Sequence, residues 1–229
     1  MILVQNPGFH NQMGLDVHVR TKIRYGYSYI ESAAIRFGED IFEVSSFGEY
    51  SINGVDEAKT PFMLAGKFRL DHPDQVNEKE RNFKIHLDNR SEEYVVVKTF
   101  KDMVNVKFWN ASHTNFASSI GLMGTFSTNQ LLGRDRKTVI QDLNEFGQEW
   151  QVRADEAKLF EIRDSYPQHP ESCVLPTLGQ SSSSHEKTVS PEEAQVACGH
   201  WHADMVEVCI KDVLATNDIE VAHAHSAFF

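Results

Sequence analysis

The sequence is short of most features that announce a function. It has no apolar run approaching the roughly 18 residues of a membrane-spanning helix. It has no Gly-x-Ser-x-Gly elbow, no phosphate-cradling glycine loop and no dinucleotide-binding glycine fingerprint, which removes the commonest sequence warrants for a hydrolase or nucleotide enzyme. Positive charge is scarce. The 229 residues carry 33 acidic against 22 basic side chains, a formal net charge of -11. A nucleic-acid partner needs a clustered positive surface, so that class is set aside. Cysteine is scarcer still: Cys173, Cys198 and Cys209 all fall in the last quarter. No internal repeat is visible.

What is present is a period of two. Val17, Val19, Thr21 and Ile23 alternate with Asp16, His18, Arg20 and Lys22; Phe83, Ile85 and Leu87 alternate with Lys84, His86 and Asp88. Val104, Val106 and Phe108 alternate with Asn105, Lys107 and Trp109. One buried face and one wet face is the pattern of antiparallel strands. Tyr94 to Val97 is more continuously apolar, as a central strand requires. Turn dipeptides separate these runs: Asn53-Gly54, Phe47-Gly48, Ala65-Gly66 and Asp88-Asn89. Asn53-Gly54 suits a type I′ hairpin, in which both central residues take positive φ. The expected fold class is mainly β, an antiparallel sandwich-like domain over 1–160 with no helix-length segment before about 154. Met1 to Val4 reads as the end of a strand whose earlier part is missing, which predicts an unpaired strand edge.

After Trp150 the pattern changes. Ala154 to Phe160 is expected to form a short helix. Residues 161–187, with four consecutive serines from Ser181, read as a linker. A small α-helical, cysteine-bearing tail is expected over 188–229. Ser190 as N-cap, Pro191 at the first helical position and Glu192-Glu193 in the first turn start one helix. A second is expected over about 204–214, with 222–229 fraying. Cys198 and Cys209 are eleven positions apart on consecutive helices, a distance a helical hairpin can close with a disulfide. The rival reading is zinc held by Cys198, His200, His202, Cys209, His223 and His225, and a metal enzyme built on these tail residues is the corresponding catalytic alternative. No pair among these donors has a structural-zinc spacing, and Cys-x-His-x-His points its donors to different helix faces. Asn89-Arg90-Ser91 and Asn110-Ala111-Ser112 have the form of N-glycosylation acceptors beside strand ends.

The most specific stretch is Gly121-Leu122-Met123-Gly124-Thr125-Phe126, followed by Phe146-Gly147-Gln148-Glu149-Trp150-Gln151-Val152. It resembles the end of von Willebrand factor type D domains, where a Gly-Leu-Cys-Gly core precedes Phe-Gly-Asn-Ser-Trp. Ile52-Asn53-Gly54-Val55 and the Val106 to Trp109 strand fall in the matching order, so the resemblance covers roughly residues 1–160. The tail is similar to the cysteine-bearing segment that follows such domains in some secreted proteins. The family's opening Gly-Asp-Pro-His segment is absent, and Met123 stands where the family commonly has cysteine. The resemblance implies that Cys173 has lost a partner in the missing first strands. It also suggests calcium, although the matching loop offers only Asn129 and Asp135, with Thr125 and Ser127 at the asparagine positions; a polar loop capped by its own side chains is the competing account. The implied function is a secreted, non-catalytic structural or adhesive module that contacts other extracellular proteins or itself. The alternative is a calcium- or glycan-binding recognition module. No other cofactor is expected.

Overall fold

The computed structural model describes residues 1–24, 27–87, 92–111, 113–126, 128, 130–153, 155–156, 159–160, 189–200 and 203–225. The chain is mainly β, built as two antiparallel sheets with short helices gathered towards the C-terminus. The first sheet is a meander in sequence order: β1 (Ile2–Asn6), β2 (Leu15–Arg24), β3 (Tyr27–Phe37), β4 (Asp40–Ser45), β5 (Tyr50–Ile52) and β6 (Val55–Asp56). The second contains β7 (Phe62–Leu64), β8 (Phe68–Leu70), β9 (Asp74–Asn77), β10 (Glu80–His86), β11 (Tyr94–Phe100) and β12 (Met103–Trp109). Its order is β12-β11-β10-β8-β7, with β9 beside the first residues of β10. β11 is therefore central, as its continuous apolar run predicts.

The alternating residues place the core. Val17, Val19, Ala33, Ile35, Phe42 and Val44 of the first sheet share one cluster with Phe68, Leu70, Phe83, Ile85, Val95 and Val97 of the second. Phe42 meets Phe83 at 5.4 Å between ring centroids, and Phe37 meets Phe68 at 4.5 Å. These are the offset separations that aromatic quadrupoles favour. Hairpin chemistry is as expected at Asn53-Gly54, with φ of 50° and 78°, the αL values a type I′ turn needs. Gly48, Ala65 and Gly66 also take positive φ, whereas Asp88-Asn89 lies outside the described residues.

One register detail was not expected, and three expectations need correction. The ladder between β2 and β3 slips between Arg20 and Thr21, so Thr21 faces Ile30 and Glu31 of β3 is the extra residue, while β2 itself continues without a break. A bulge of this kind adds one residue to one strand and leaves no mark in the hydrophobic period. A helix does precede residue 154: α3 (Leu143–Glu149) starts on Asp142, whose carboxylate accepts from the backbone N–H groups of Asn144 and Glu145. Two shorter turns, α1 (Phe9–Gln12) and α2 (His113–Phe116), also interrupt the strands. The short helix expected at Ala154 to Phe160 is not formed at the described positions, where Asp155 lies in a turn and Leu159 and Phe160 are irregular. Those two side chains instead pack on Ala34 and Ile41, on the outer face of the first sheet.

The tail consists of α4 (Pro191–Cys198), α5 (Ala203–Thr216) and a 3-10 segment, Ile219–His225. Ser190 and Glu193 form a reciprocal capping box at the start of α4, which satisfies two otherwise orphaned backbone donors. The 3-10 segment is the third correction. Val221 and Ala222 are buried in a small cluster with Ala194, Cys198, Cys209 and Val213, so this part of the expected frayed end is packed; residues 226–229 and the expected linker lie outside the described residues. No described helix is long and apolar enough to cross a membrane.

Candidate functional site

The two halves of the glycine–tryptophan motif meet on β1. Gly121 has φ of +149°, and a Cβ at this position would stand 2.4 Å from the Leu3 carbonyl oxygen. Only glycine fits so close a backbone approach. The approach allows the Leu122 and Met123 N–H groups to donate to the Ile2 and Leu3 carbonyls, while Gln5 and Ile120 exchange both backbone bonds. From the other half, the Trp150 carbonyl accepts from the Ile2 N–H at 2.7 Å. Trp150 is fully buried, its indole N–H donates to the Leu132 carbonyl, and it packs with Ile2, Ile120 and Phe146. The outer edge of β1 is thus paired with Ile120 to Met123, and the open strand edge expected there is not seen. The motif residues close an edge that would otherwise template association.

A second constellation joins the tail to the outer face of the second sheet. Lys98 on β11 and Glu80 on β10 pair at 2.9 Å, and both are withdrawn from solvent. Lys98 also donates to the His223 carbonyl at 2.7 Å. Further along the sheet, Lys101 contacts Asp218 and Glu220, and Lys79 reaches Glu220 at 2.8 Å. On the flank, the Tyr29 hydroxyl donates to Asp212, whose other oxygen meets His225 Nε2 at 2.9 Å. At the Lys79 and Lys101 contacts the sheet side supplies the lysine and the tail the carboxylate, whereas Lys98 takes its carboxylate from Glu80 of the sheet and only a carbonyl from the tail.

Beside this contact lies a polar cleft of about 300 Å³ whose lining includes Phe47, Lys79, Arg81, Thr99 and Lys101. Hydrogen bonds from Lys79 and Lys101 pull the Glu220 carboxyl down to about 2. Burial lowers the Lys101 pKa, but its hydrogen bonds to Asp218 and Glu220 outweigh that and leave it raised. Each partner therefore stabilises the charged form of the other.

The residues singled out in the sequence are scattered. Cys198 and Cys209 are joined as a disulfide at the centre of the tail, with both cysteines buried. Cys173, Asn89 and Asn129 lie outside the described residues, as do Ser112 and His202. Asn110 is exposed at the end of β12, where its amide donates to the Glu92 carbonyl at 3.1 Å. Asp135 is engaged locally. It accepts from the Thr138 hydroxyl and from the Lys137 and Thr138 N–H groups, and the Thr138 hydroxyl leads in drawing its pKa down to about 2. Of the other tail histidines, His200 and His223 are exposed and His225 is paired with Asp212. Among the described residues no group of three or more His, Cys, Asp or Glu is arranged to hold a metal ion.

Sequence reasoning missed the lysine–carboxylate contact altogether. Its one available signal is Lys98, a charge inside the apolar run of β11, at a position where a central strand buries both faces. No protein-family model matches the chain, and no curated protein matches it.

Proposed function

We propose that this chain is a non-catalytic extracellular module of the von Willebrand factor type D kind, which makes protein–protein contacts in assembly or adhesion. The observation that carries the reading is the buried Cys198–Cys209 bridge in the tail. A disulfide at the centre of so small a helical unit substitutes for the core it cannot build, and such bridges persist in oxidising compartments. The use of the glycine–tryptophan motif to close β1 supports the same family reading, because both halves have a joint structural task. The exposure of Asn110 beyond the end of β12 is compatible with its reading as a glycan acceptor.

The test is non-reducing mass spectrometry of the full chain recovered from the medium of a secreting cell line, mapping thiols, disulfides and glycans. A Cys198–Cys209 link with glycan at Asn89 or Asn110 is the expected result. Three free thiols and two bare asparagines after passage through the oxidising compartment would remove the extracellular assignment.

A further inference from the structure

We propose that the outer face of the second sheet, beyond the tail contact, binds a sulfated glycan chain: Lys84 and Lys107 pair with its sulfates, and Tyr94 and Trp109 stack on its sugar rings. The proposal goes beyond the protein–protein reading above and shares with it only the extracellular setting.

The strand register builds the surface. Arg69, His86, Tyr94 and Trp109 face one another in a single row across β8, β10, β11 and β12, and Lys84, Val96 and Lys107 form the next row. The residues that alternate with them, Ile85, Val95 and Phe108, belong to the core, so both rows lie on the outer face. The row after that is Asn82, Lys98 and Asn105. There the tail begins, with Lys98 and Asn105 donating to the His223 and Ala224 carbonyls.

Tyr94 and Trp109 are half-buried and lie within 12° of parallel, their centroids 6.0 Å apart, which makes one aromatic strip. Lys84 Nζ is 3.9 Å from the Tyr94 centroid, and Lys107 Nζ is 4.8 Å from that of Trp109. The ring quadrupoles hold the ammoniums at the strip. Arg69 and His86 share Asp71, whereas Lys84 and Lys107 have no ion pair among the described residues. Their charge is left for a ligand.

The spacing and the rings select the ligand class. Lys84 and Lys107 stand two strands apart, about 10 Å. A single small anion meets one of them; a chain that repeats its charged groups meets both. A pyranose ring has a flat C–H face and carries its sulfates at the edge, which matches an apolar strip bordered by cations. An acidic peptide has the charge without the flat face. Nucleic acid is opposed by the net charge of -11.

The test is binding of the full secreted chain, its N-glycans trimmed so that none at Asn110 covers the strip, to an immobilised heparin oligosaccharide. Desulfated heparin and a single-stranded oligonucleotide of equal length are the comparisons. Heparin should be bound, less tightly as salt rises, and desulfated heparin should not. Lys84→Gln/Lys107→Gln is expected to weaken binding by about tenfold or more, because two charge-assisted contacts are lost. Lys137→Gln/Lys211→Gln removes the same charge at exposed positions elsewhere and should change it by less than about twofold. Trp109→Leu should weaken it by about fivefold at unchanged salt dependence, and Tyr94→Leu replaces that variant if its thermal melt is lost.

No binding to heparin overturns the proposal. So do equal losses in the two lysine pairs, an oligonucleotide bound as tightly as heparin, or aromatic variants that bind like the parent. None of these readouts depends on the Cys198–Cys209 link, so failure here leaves the extracellular reading intact. Free thiols with bare asparagines remove that reading instead.

Discussion

Lys98 and Glu80 form an ion pair between neighbouring strands with almost no access to water: their side chains are 2% and 9% exposed, and their charged atoms lie 2.9 Å apart. The ladder sets Lys98 opposite Asn82, so Glu80 is its diagonal neighbour on the same face. The pair lies beneath the tail, with Lys98 also held by the His223 carbonyl. A charge in this position is sustained by its partner, because an isolated buried ion bears a desolvation cost of several kcal/mol.

Lys98→Met is therefore expected to destabilise the chain by about 3–5 kcal/mol, since it leaves Glu80 buried and unpaired. The double change Lys98→Met/Glu80→Gln removes both charges and should recover most of that loss. Urea unfolding midpoints of the three proteins provide the measurement. A single variant within about 1 kcal/mol of the parent would show that Glu80 finds water readily and that the pair contributes little.

Gly121→Ala is expected to cost roughly 3–5 kcal/mol, combining backbone overlap with a φ that L-residues avoid. Gly66→Ala is the matched control. Gly66 has φ of +65° with nothing within 4 Å of its Cβ position, so only the αL penalty of about 1–2 kcal/mol applies. Thermal melting of both variants separates the terms, and equal losses would mean that β1 simply moves away from residue 121.

Much of the sandwich is legible because its strands bury one face each: Val17, Val19, Phe83 and Ile85 declare that face by alternation alone. The Asn53-Gly54 turn and the Ser190 cap are legible for a similar reason, since each depends on residues adjacent in sequence. The bulge at Glu31 is not, because a skipped residue shifts the register without altering hydrophobicity. Helix α3 escaped because Leu143 to Glu149 is only seven residues long, too short for a clear 3.6-residue period, although Asp142 followed by Glu145 is a capping signal. The tail contact depends on side chains more than a hundred positions apart, such as Lys101 and Asp218. No local pattern encodes such a pairing.

Replacing both bridged cysteines, Cys198→Ser/Cys209→Ser, opens a loop of eleven positions. Chain entropy predicts a loss of about 3 kcal/mol for a loop of this size. Because the bridge lies within the tail cluster, the loss should be local. Amide hydrogen exchange is expected to accelerate in α4 and α5 while β2, β3 and β11 keep their protection. Uniform acceleration across both sheets would mean that tail and sandwich unfold as one unit.

His18 supplies the pH dependence. It lies on β2 with 4% exposure, and its Nδ1 has no hydrogen-bond partner. Burial is the main reason its pKa falls from 6.5 to about 4; the Met1 ammonium, Arg36 and Arg134 push the same way, and Asp16 opposes them. Between those two values the unfolded chain takes up a proton that the folded chain refuses. Stability therefore declines as pH falls from 6.5 to about 4, by about 3 kcal/mol in total from this group. Asp135 and Glu220, lowered to about 2 from 3.8 and 4.5, lose their contributions as pH falls below those ordinary values, so only Glu220 overlaps the His18 window, and only at its acid end. His18→Gln cannot take up that proton, and its urea midpoint should vary much less across pH 4 to 6.5 than that of the parent. Parallel curves for the two proteins over that range would show that His18 protonates freely in the folded state, which would require the segment around Leu159 and Phe160 to admit water to the outer face of the first sheet.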